Sequence, residues 1–354
     1  MTVKPINCLI INQPGLIEMI MNFYPVFVDY LTIRQVHNED LPIINGGQVI
    51  RIDQDGEVDY VVDARVGLEG SFDSRVEIRC DGHQVEFSGN IARYGRSDNL
   101  FGFTFAESIR RINELLVSLD LPPFTTGKLH RYADTGWTWS GARVSRIDIT
   151  CNYVTGSMMD SEAFLRMMAG QHVGRQKGSL SVNGATVEYG RGSKYVYGKL
   201  YCKTTEFKKH KSKKSGQHVA DEVIEFCESL GVIREEFTLK SRFLLQNGLA
   251  FLGAIKDSIL IEIYFNRSQL ERLETVKYEN FNDMPPHLRA TYVSWKHGFP
   301  INLSERTFYR HRKKLLEYGI DISIPNNVEI LPARVRRVEL AALTAPDWYL
   351  EKYA

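Results

Sequence analysis

The sequence predicts an α+β fold, with an antiparallel sheet through residue 250 and a mainly helical region after it. Apolar and polar residues alternate repeatedly around Asp-Gly and Asn-Gly pairs, two-residue turns whose positive backbone angles suit hairpins. Stretches with helical apolar spacing interrupt these hairpins. Past residue 250 the hairpin signal stops and helical spacing takes over.

In chain order, Val49 to Ile52 and Val58 to Val62 flank Asp55-Gly56. Val76 to Cys80 and Gln84 to Phe87 flank Asp81-Gly82, and Leu180 to Val182 and Thr186 to Tyr189 flank Asn183-Gly184. Helical spacing covers Ala106 to Leu119, closed by Pro122, then Ser161 to Ala169, capped by Asp160 or Ser161, and Val219 to Leu230, ended by Gly231. Helices are expected over Arg267 to Val276 and Pro286 to Trp295. Another runs from Glu305 to Tyr318, with Ser304 as its cap, Gly319 as its stop, and an apolar stripe of Phe308, Tyr309, Leu315 and Leu316. With the preceding helix and a Gly-Phe-Pro turn, this segment reads either as a DNA-reading helix-turn-helix or as a plain amphipathic core helix. The expected divisions are an extension over 1–25, a sheet domain over 26–250 and a helical region over 251–354.

The 354 residues carry 44 basic and 43 acidic side chains, and the net charge of +1 excludes a globally basic packaging protein. With 43% apolar and 25% charged residues, collagenous, mucin-like and wholly disordered readings fail. The richest apolar stretch, Cys8 to Tyr30, is broken by Asn12, Gln13, Pro14, Glu18, Asn22 and Asp29, so no membrane span is expected. No secretory signal pattern opens the chain, which reads as cytoplasmic. Cys8, Cys80, Cys151, Cys202 and Cys227 are odd in number and never spaced CxxC, against both a disulfide framework and a zinc ribbon.

Basic residues concentrate locally. Lys203, Lys208, Lys209, Lys211, Lys213 and Lys214 share twelve residues with one acid, Glu206, and Lys208 to Lys214 reads as a loop tracking phosphates. Arg306, Arg310, His311, Arg312, Lys313 and Lys314 form a second group, and Arg334, Arg336 and Arg337 a third. Such patches on a neutral chain suit a polyanion binder, or a solvated face.

Three segments carry the candidate chemistry because a period of two sorts their side chains into unlike faces. Lys194 to Lys203 sets Tyr195, Tyr197, Lys199, Tyr201 and Lys203 against Val196, Gly198, Leu200 and Cys202. Val144 to Asn152 places Arg146, Asp148, Thr150 and Asn152 together, and Arg234 to Lys240 does the same for Arg234, Glu236, Thr238 and Lys240. If these strands are sheet neighbours, Asp148 and Glu236 converge near Tyr201 and Lys203. Interleaved tyrosines, lysines and arginines stack bases and bind phosphates, which nominates Arg146, Lys199, Arg234 and Lys240 as DNA contacts. Lys208, Lys209, Lys211, Arg306, Arg310, Arg312 and Lys313 join them from the basic patches. A carboxylate pair beside a tyrosine and a lysine suits phosphodiester transesterification. Asp148 and Glu236 can hold Mg²⁺ or Mn²⁺, and Lys203 can steady a phenolate whose reference pKa lies near 10. The bland alternative for each residue is strand packing or an ion pair.

The blocks VEFSGNIARYGRSDNLFGFTF (from Val85), VSRIDIT (from Val144), TVEYGRGSKYVYGKLYCK (from Thr186), REEFTLK (from Arg234) and APDWY (from Ala345) resemble the replication initiators of filamentous bacteriophages. That family includes the gene II proteins and the Rst-type A initiator of the cholera-toxin phage. FVDYLTIRQ (from Phe27) and AGQHVGRQKG (from Ala169) bring the likeness closer to the latter. The resemblance spans about residues 25 to 350. It implies a rolling-circle endonuclease core that nicks one strand of the phage origin, stays joined to the 5′ end through tyrosine, leaves a 3′-OH primer and later joins the displaced strand into a circle. The family's tyrosine-x-lysine element matches Tyr201, Cys202 and Lys203, and Tyr197, on the same face and also two residues before a lysine, is the second candidate. The RID and RxExxxK elements resemble those of plasmid rolling-circle initiators, which carries Asp148 and Glu236 over as metal ligands. No two of the nine histidines are separated by a single residue, so the His-hydrophobe-His motif of that wider class is absent and metal binding must rest on carboxylates, alone or with one distant histidine. Expected partners are double- and single-stranded origin DNA, a host helicase and host replication proteins. The competing readings are a non-catalytic DNA-binding regulator and a metal-dependent nuclease that uses water.

Overall fold

The computed structural model describes residues 26–132, 136–169, 172–173, 176–181, 184–211, 219–268, 270, 284–317, 322–323 and 340–352. The chain divides into two compact units, residues 1–267 with 339–354, and residues 268–338.

The first unit opens with strands β1 (Phe27–Val36), β2 (Ile43–Ile44), β3 (Gln48–Ile52), β4 (Val58–Asp63), β5 (Val66–Glu69), β6 (Arg75–Asp81) and β7 (Gln84–Gly89). Helix α1 (Phe105–Val117) leads to β8 (Leu129–Tyr132), β9 (Gly136–Trp139), β10 (Arg143–Val154) and helix α2 (Met158–Ala169). Short β11 (His172–Val173), β12 (Gln176–Lys177) and β13 (Ser179–Leu180) precede β14 (Thr186–Tyr189) and β15 (Val196–Cys202). Helices α3 (Lys203–Lys211) and α4 (Asp221–Leu230), β16 (Val232–Lys240), and helices α5 (Ser241–Gln246) and α6 (Asp257–Arg267) follow. The second unit holds α7 (Pro286–Lys296) and α8 (Glu305–Glu317), after which β17 (Ala341–Ala342) and α9 (Asp347–Lys352) return to the first.

An eleven-stranded antiparallel sheet runs β13-β14-β15-β16-β10-β1-β7-β6-β2, with β5 on β6 and β17 on β10. The anticipated hairpins form at β3–β4, β6–β7 and β13–β14, and their turn glycines, Gly56, Gly82 and Gly184, all take positive φ. Helix boundaries shift where capping decides them. Helix α1 is capped by Thr104 and stops at Val117, short of the expected Leu119. Helix α2 starts at Met158 rather than Ser161 because the Ser157 hydroxyl accepts the Asp160 N–H at 3.2 Å. Gly231, at φ 61°, ends α4 as expected. The helix expected over 267–276 falls outside the described residues from 271 onward, and so does Gly319. Helix α6, which lacks a clear periodic signature, packs on the sheet instead. Its Tyr264 hydroxyl donates to buried Glu235 at 2.8 Å and its ring meets Phe237 edge-on.

The sheet has one apolar and one polar face. Ile147, Ile149, Cys151, Val187, Leu200, Phe237 and Leu239 are buried on the apolar side, where α2 and α6 lie. A Cβ at Gly198 on that side would stand 3.2 Å from the Phe237 ring, tighter than most such contacts. Burial of such side chains supplies roughly 1.5–3 kcal/mol each and holds the polar face in register. Cys80, Cys151, Cys202 and Cys227 are free and buried. No helix among the described residues is long and apolar enough to cross a membrane.

Within the second unit, Leu288, Leu315, Met284 and Ile322 form a small core joined by Phe308, Tyr292 and Trp295. The Ser304 hydroxyl accepts the Thr307 N–H at 3.4 Å at the start of α8. Tyr309 departs from the expected apolar stripe. It is 56% exposed, on the side of the helix turned away from Leu315.

Candidate active site

β15, β16 and β10 are adjacent, so the three chemistry-bearing segments do lie side by side with their polar faces aligned. Cross-strand rows fix the arrangement. Tyr201 faces Arg234, which faces Asn152; Lys199 faces Glu236, which faces Thr150; Tyr197 faces Thr238, which faces Asp148; and Lys240 faces Arg146. Asp148 and Glu236 are therefore diagonal neighbours on adjacent strands, within reach of one another's side chains.

At one end of this face the chain between β7 and α1 lies over the sheet. Arg234, fully buried, donates to the carbonyls of Asn99 (2.6 Å) and Leu100 (2.7 Å), to Asn152 Oδ1 (2.8 Å) and to Asp29 Oδ1 (3.4 Å). Its position corrects the expectation that it contacts DNA, because its donors face buried acceptors. Tyr201 is only 8% exposed, and its hydroxyl donates to Glu236 Oε2 at 3.4 Å. Burial, with Glu206 and then Glu236 and Asp29 adding to it against Arg234, holds that phenol well above its ordinary pKa.

Lys203 also departs from expectation. It begins helix α3 instead of extending β15, and its fully buried ammonium donates to Asn99 Oδ1 (2.7 Å) and Glu206 Oε2 (2.5 Å). Its Nζ stands 5.9 Å from the Tyr201 ring centre. Burial, aided by Arg234, lowers its pKa against the pull of Glu206.

The other end is open. A cleft of about 480 Å³ is lined by Ser145, Arg146, Tyr197, Lys199, Thr238, Lys240 and Ser241. Tyr197 belongs to that lining and Tyr201 does not. The Tyr197 hydroxyl donates to Glu188 Oε1 at 2.7 Å, and burial together with Glu188 raises its pKa. Arg146 makes a two-pronged contact with Asp148 (2.9 and 2.5 Å) and lies over the Tyr30 ring at 4.2 Å. Lys199 donates to Glu236 Oε1 at 2.8 Å, and Lys240 to the Ser193 carbonyl at 2.5 Å. Burial, opposed by Lys199 and reinforced by Asp29 and Asp148, pushes the Glu236 carboxyl up to about 7.

Asp29, Asn99, Glu188 and Glu206 join the site without having been singled out from the sequence. Asp29 occupies a bulge in β1, between Val28 opposite Ile149 and Tyr30 opposite Asp148. The bulge breaks the alternation that would have flagged it. Thr150, opposite Glu236 and one step along the same face from Asp148, is fully buried, and its hydroxyl makes no hydrogen bond. Among the described residues, no three His, Cys, Asp or Glu side chains converge as a ready-made metal cage.

Two of the basic patches fall on helices. Lys208 and Lys209 are exposed on helix α3, which replaces the expected phosphate-tracking loop at least through Lys211, and Lys208 pairs with Glu228. Lys213 and Lys214 lie outside the described residues, as do Arg334, Arg336 and Arg337. Arg306, Arg310 and Lys313 are exposed on α8 and Arg312 is half-buried there.

The family profile for the N-terminal part of the replication-associated gene II protein matches residues 27–258, and the profile for the C-terminal part of that protein matches residues 278–354. A replication-associated gene II protein of Escherichia phage If1 is 26% identical over 313 residues, covering 78% of this chain and 97% of that protein. Another, from Enterobacteria phage I2-2, is 23% identical over 333 residues, covering 86% of this chain and 92% of that protein.

Proposed function

The chain belongs to the replication-associated gene II protein family of filamentous phages, and from that footing we propose that it starts rolling-circle replication by nicking one strand of the double-stranded phage origin. A tyrosine hydroxyl of β15 attacks the scissile phosphorus. The bond to the 3′ oxygen breaks, leaving a 3′-OH primer and a 5′-phosphotyrosine. A later attack by a 3′-OH on that linkage frees the tyrosine and closes the displaced strand.

The observation that carries this reading is the meeting of Tyr201 with Glu236, far apart in the chain, on a polar sheet face that also holds Asp148. The family's tyrosine-x-lysine element, matched at Tyr201 to Lys203, supports Tyr201 as the first candidate for the nucleophile. Tyr197 is the second candidate, favoured by its place in the open cleft. Either phenol is held protonated and needs a base, and each donates to a carboxylate placed to take its proton, Glu236 Oε2 for Tyr201 and Glu188 Oε1 for Tyr197. Arg146, Lys199 and Lys240 supply positive charge for the DNA backbone along the cleft. Lys203 lies beside the Tyr201 ring, placed to steady charge that develops there.

The donor set suits a hard divalent ion. Two carboxylates, the unsatisfied Thr150 hydroxyl beside them, and a Glu236 made proton-hungry by burial and neighbouring acids mark a spot where positive charge is wanted. Asp148 and Glu236 would hold Mg²⁺ or Mn²⁺ there, and the ion, when bound, supplies Lewis acidity to the phosphate. Incubation with supercoiled origin DNA and Mg²⁺ tests the proposal, the expected product being an open circle with protein attached. Nicks without attached protein would favour a water-using nuclease, and binding without nicks a regulator. A host helicase is the partner such a reaction needs, because nicking alone does not unwind the duplex.

A further inference from the structure

Arg34 on β1 and Arg143 on β10 stand directly opposite each other, and both are exposed. Like charges facing across a strand pair destabilise it. No acid relieves this pair, since neither arginine makes an ion pair or side-chain hydrogen bond among the described residues. The one acid in their row is Glu86, which faces Arg34 from β7. Its two oxygens are already taken by Arg65 (2.6 Å) and by Arg79 (2.7 Å). The sheet thus pairs two exposed arginines whose guanidinium groups make no side-chain hydrogen bond or ion pair among the described residues.

Their position is informative. Tyr30, Thr32 and Arg34 alternate on the polar face, with Tyr30 opposite Asp148 and Thr32 opposite Arg146. The arginine pair lies one row beyond Arg146 and two beyond Asp148, roughly 13 Å along β1 from the acid row at about 3.3 Å per residue. Next to it the chain enters and leaves the β8–β9 hairpin. Gln35 is tied to Thr125 (2.8 and 3.0 Å), and Ala142, just before Arg143, donates to the Thr125 carbonyl (2.9 Å). On that hairpin Trp137 is 66% exposed and faces exposed Arg131 across the strands.

We propose that Arg34 and Arg143 clamp backbone phosphates of an unpaired DNA strand running along the polar face, with a neighbouring base stacked on Trp137. Paired guanidinium forks match phosphate oxygens, and an exposed indole beside a guanidinium is a base platform that accepts any sequence. The inference deepens the nicking proposal, since it gives the strand leaving the Asp148–Glu236 region a path.

The test is binding of a labelled short oligothymidylate to the full chain over a salt series. That probe carries no origin sequence, so the outcome stands whether or not the covalent adduct forms on origin DNA. Arg34→Gln with Arg143→Gln should flatten the slope of log affinity against log salt by roughly 1.4, two phosphates at about 0.7 each for a single strand. Trp137→Ala should weaken binding roughly tenfold with the slope unchanged. The melting temperature of the double glutamine variant without DNA should equal or exceed that of the parent. An unchanged salt slope overturns the clamp. A lower melting temperature overturns it equally, by assigning the two arginines to the fold.

Discussion

One sheet face is built in two opposite ways. At the Arg234 end the chain between β7 and α1 covers the strands, and Asn99 of that segment ties Arg234, Lys203 and Asp29 together, accepting from the two cations and donating to the acid. At the Arg146 end, lysine and arginine line an open cleft and reach acids from the side. The sealed end holds its charged groups in closed contacts, and the open end leaves a cleft beside them. Tyr201 stands at the first and Tyr197 at the second, with Glu236 between them touching Tyr201 and Lys199.

The contrast breaks most visibly in the chemistry. Replacing Asp148 and Glu236 together by Ala should abolish metal-dependent nicking while origin binding persists, measured by gel separation of supercoiled and open circles. Loss of folding in that variant would return both acids to a structural role. Stability should split along the same line. Arg234→Ala removes a fully buried cation from its partners and should cost about 3–5 kcal/mol in urea unfolding. Tyr197→Phe loses one hydrogen bond and should cost about 1 kcal/mol. Equal costs would mean that the two ends are not built differently.

A smaller effect tests the electrostatics between the ends. Glu236 has a folded-state pKa of about 7 against 4.5 for an unperturbed carboxyl. The folded state binds that proton more tightly than the unfolded one, so metal-free stability should decline as pH rises from about 4.5 to about 7 and level off above. Glu236→Gln should flatten that decline in unfolding midpoints. An identical decline in the variant would place its source elsewhere. The smallest effect is expected away from the face. Lys208→Gln with Lys209→Gln should flatten the salt dependence of duplex binding by about one unit per lost phosphate contact, and an unaltered slope would leave these lysines as solvated surface.

How much of this was legible in the sequence follows from the range of each signal. Period-two alternation and Asp-Gly turns are local, so β10, β15, β16 and the hairpins could be read, and with them the shared face of Asp148, Glu236 and Tyr201. The polar side chains at the sealed end were expected on an accessible surface. What buries them is an irregular segment around Asn99, which carries no periodicity and comes from a distant part of the chain. Asp29 was hidden by its bulge. Lys203 was misplaced because the alternation through Cys202 gives no warning that a helix begins at the next residue. Helix α6 has little contrast between its faces, since Leu260, Ile261 and Tyr264 are buried while Ile259, Ile263 and Phe265 are half-buried around them.

The most direct measurement is peptide mapping of the covalent complex formed with supercoiled origin DNA and Mg²⁺, by mass spectrometry, for the parent chain and for Tyr201→Phe. The account predicts a nucleotide on the peptide containing Tyr201 and no adduct in the variant, with DNA binding retained. An adduct that persists in Tyr201→Phe and maps to Tyr197 would contradict it, placing the chemistry at the open end of the face.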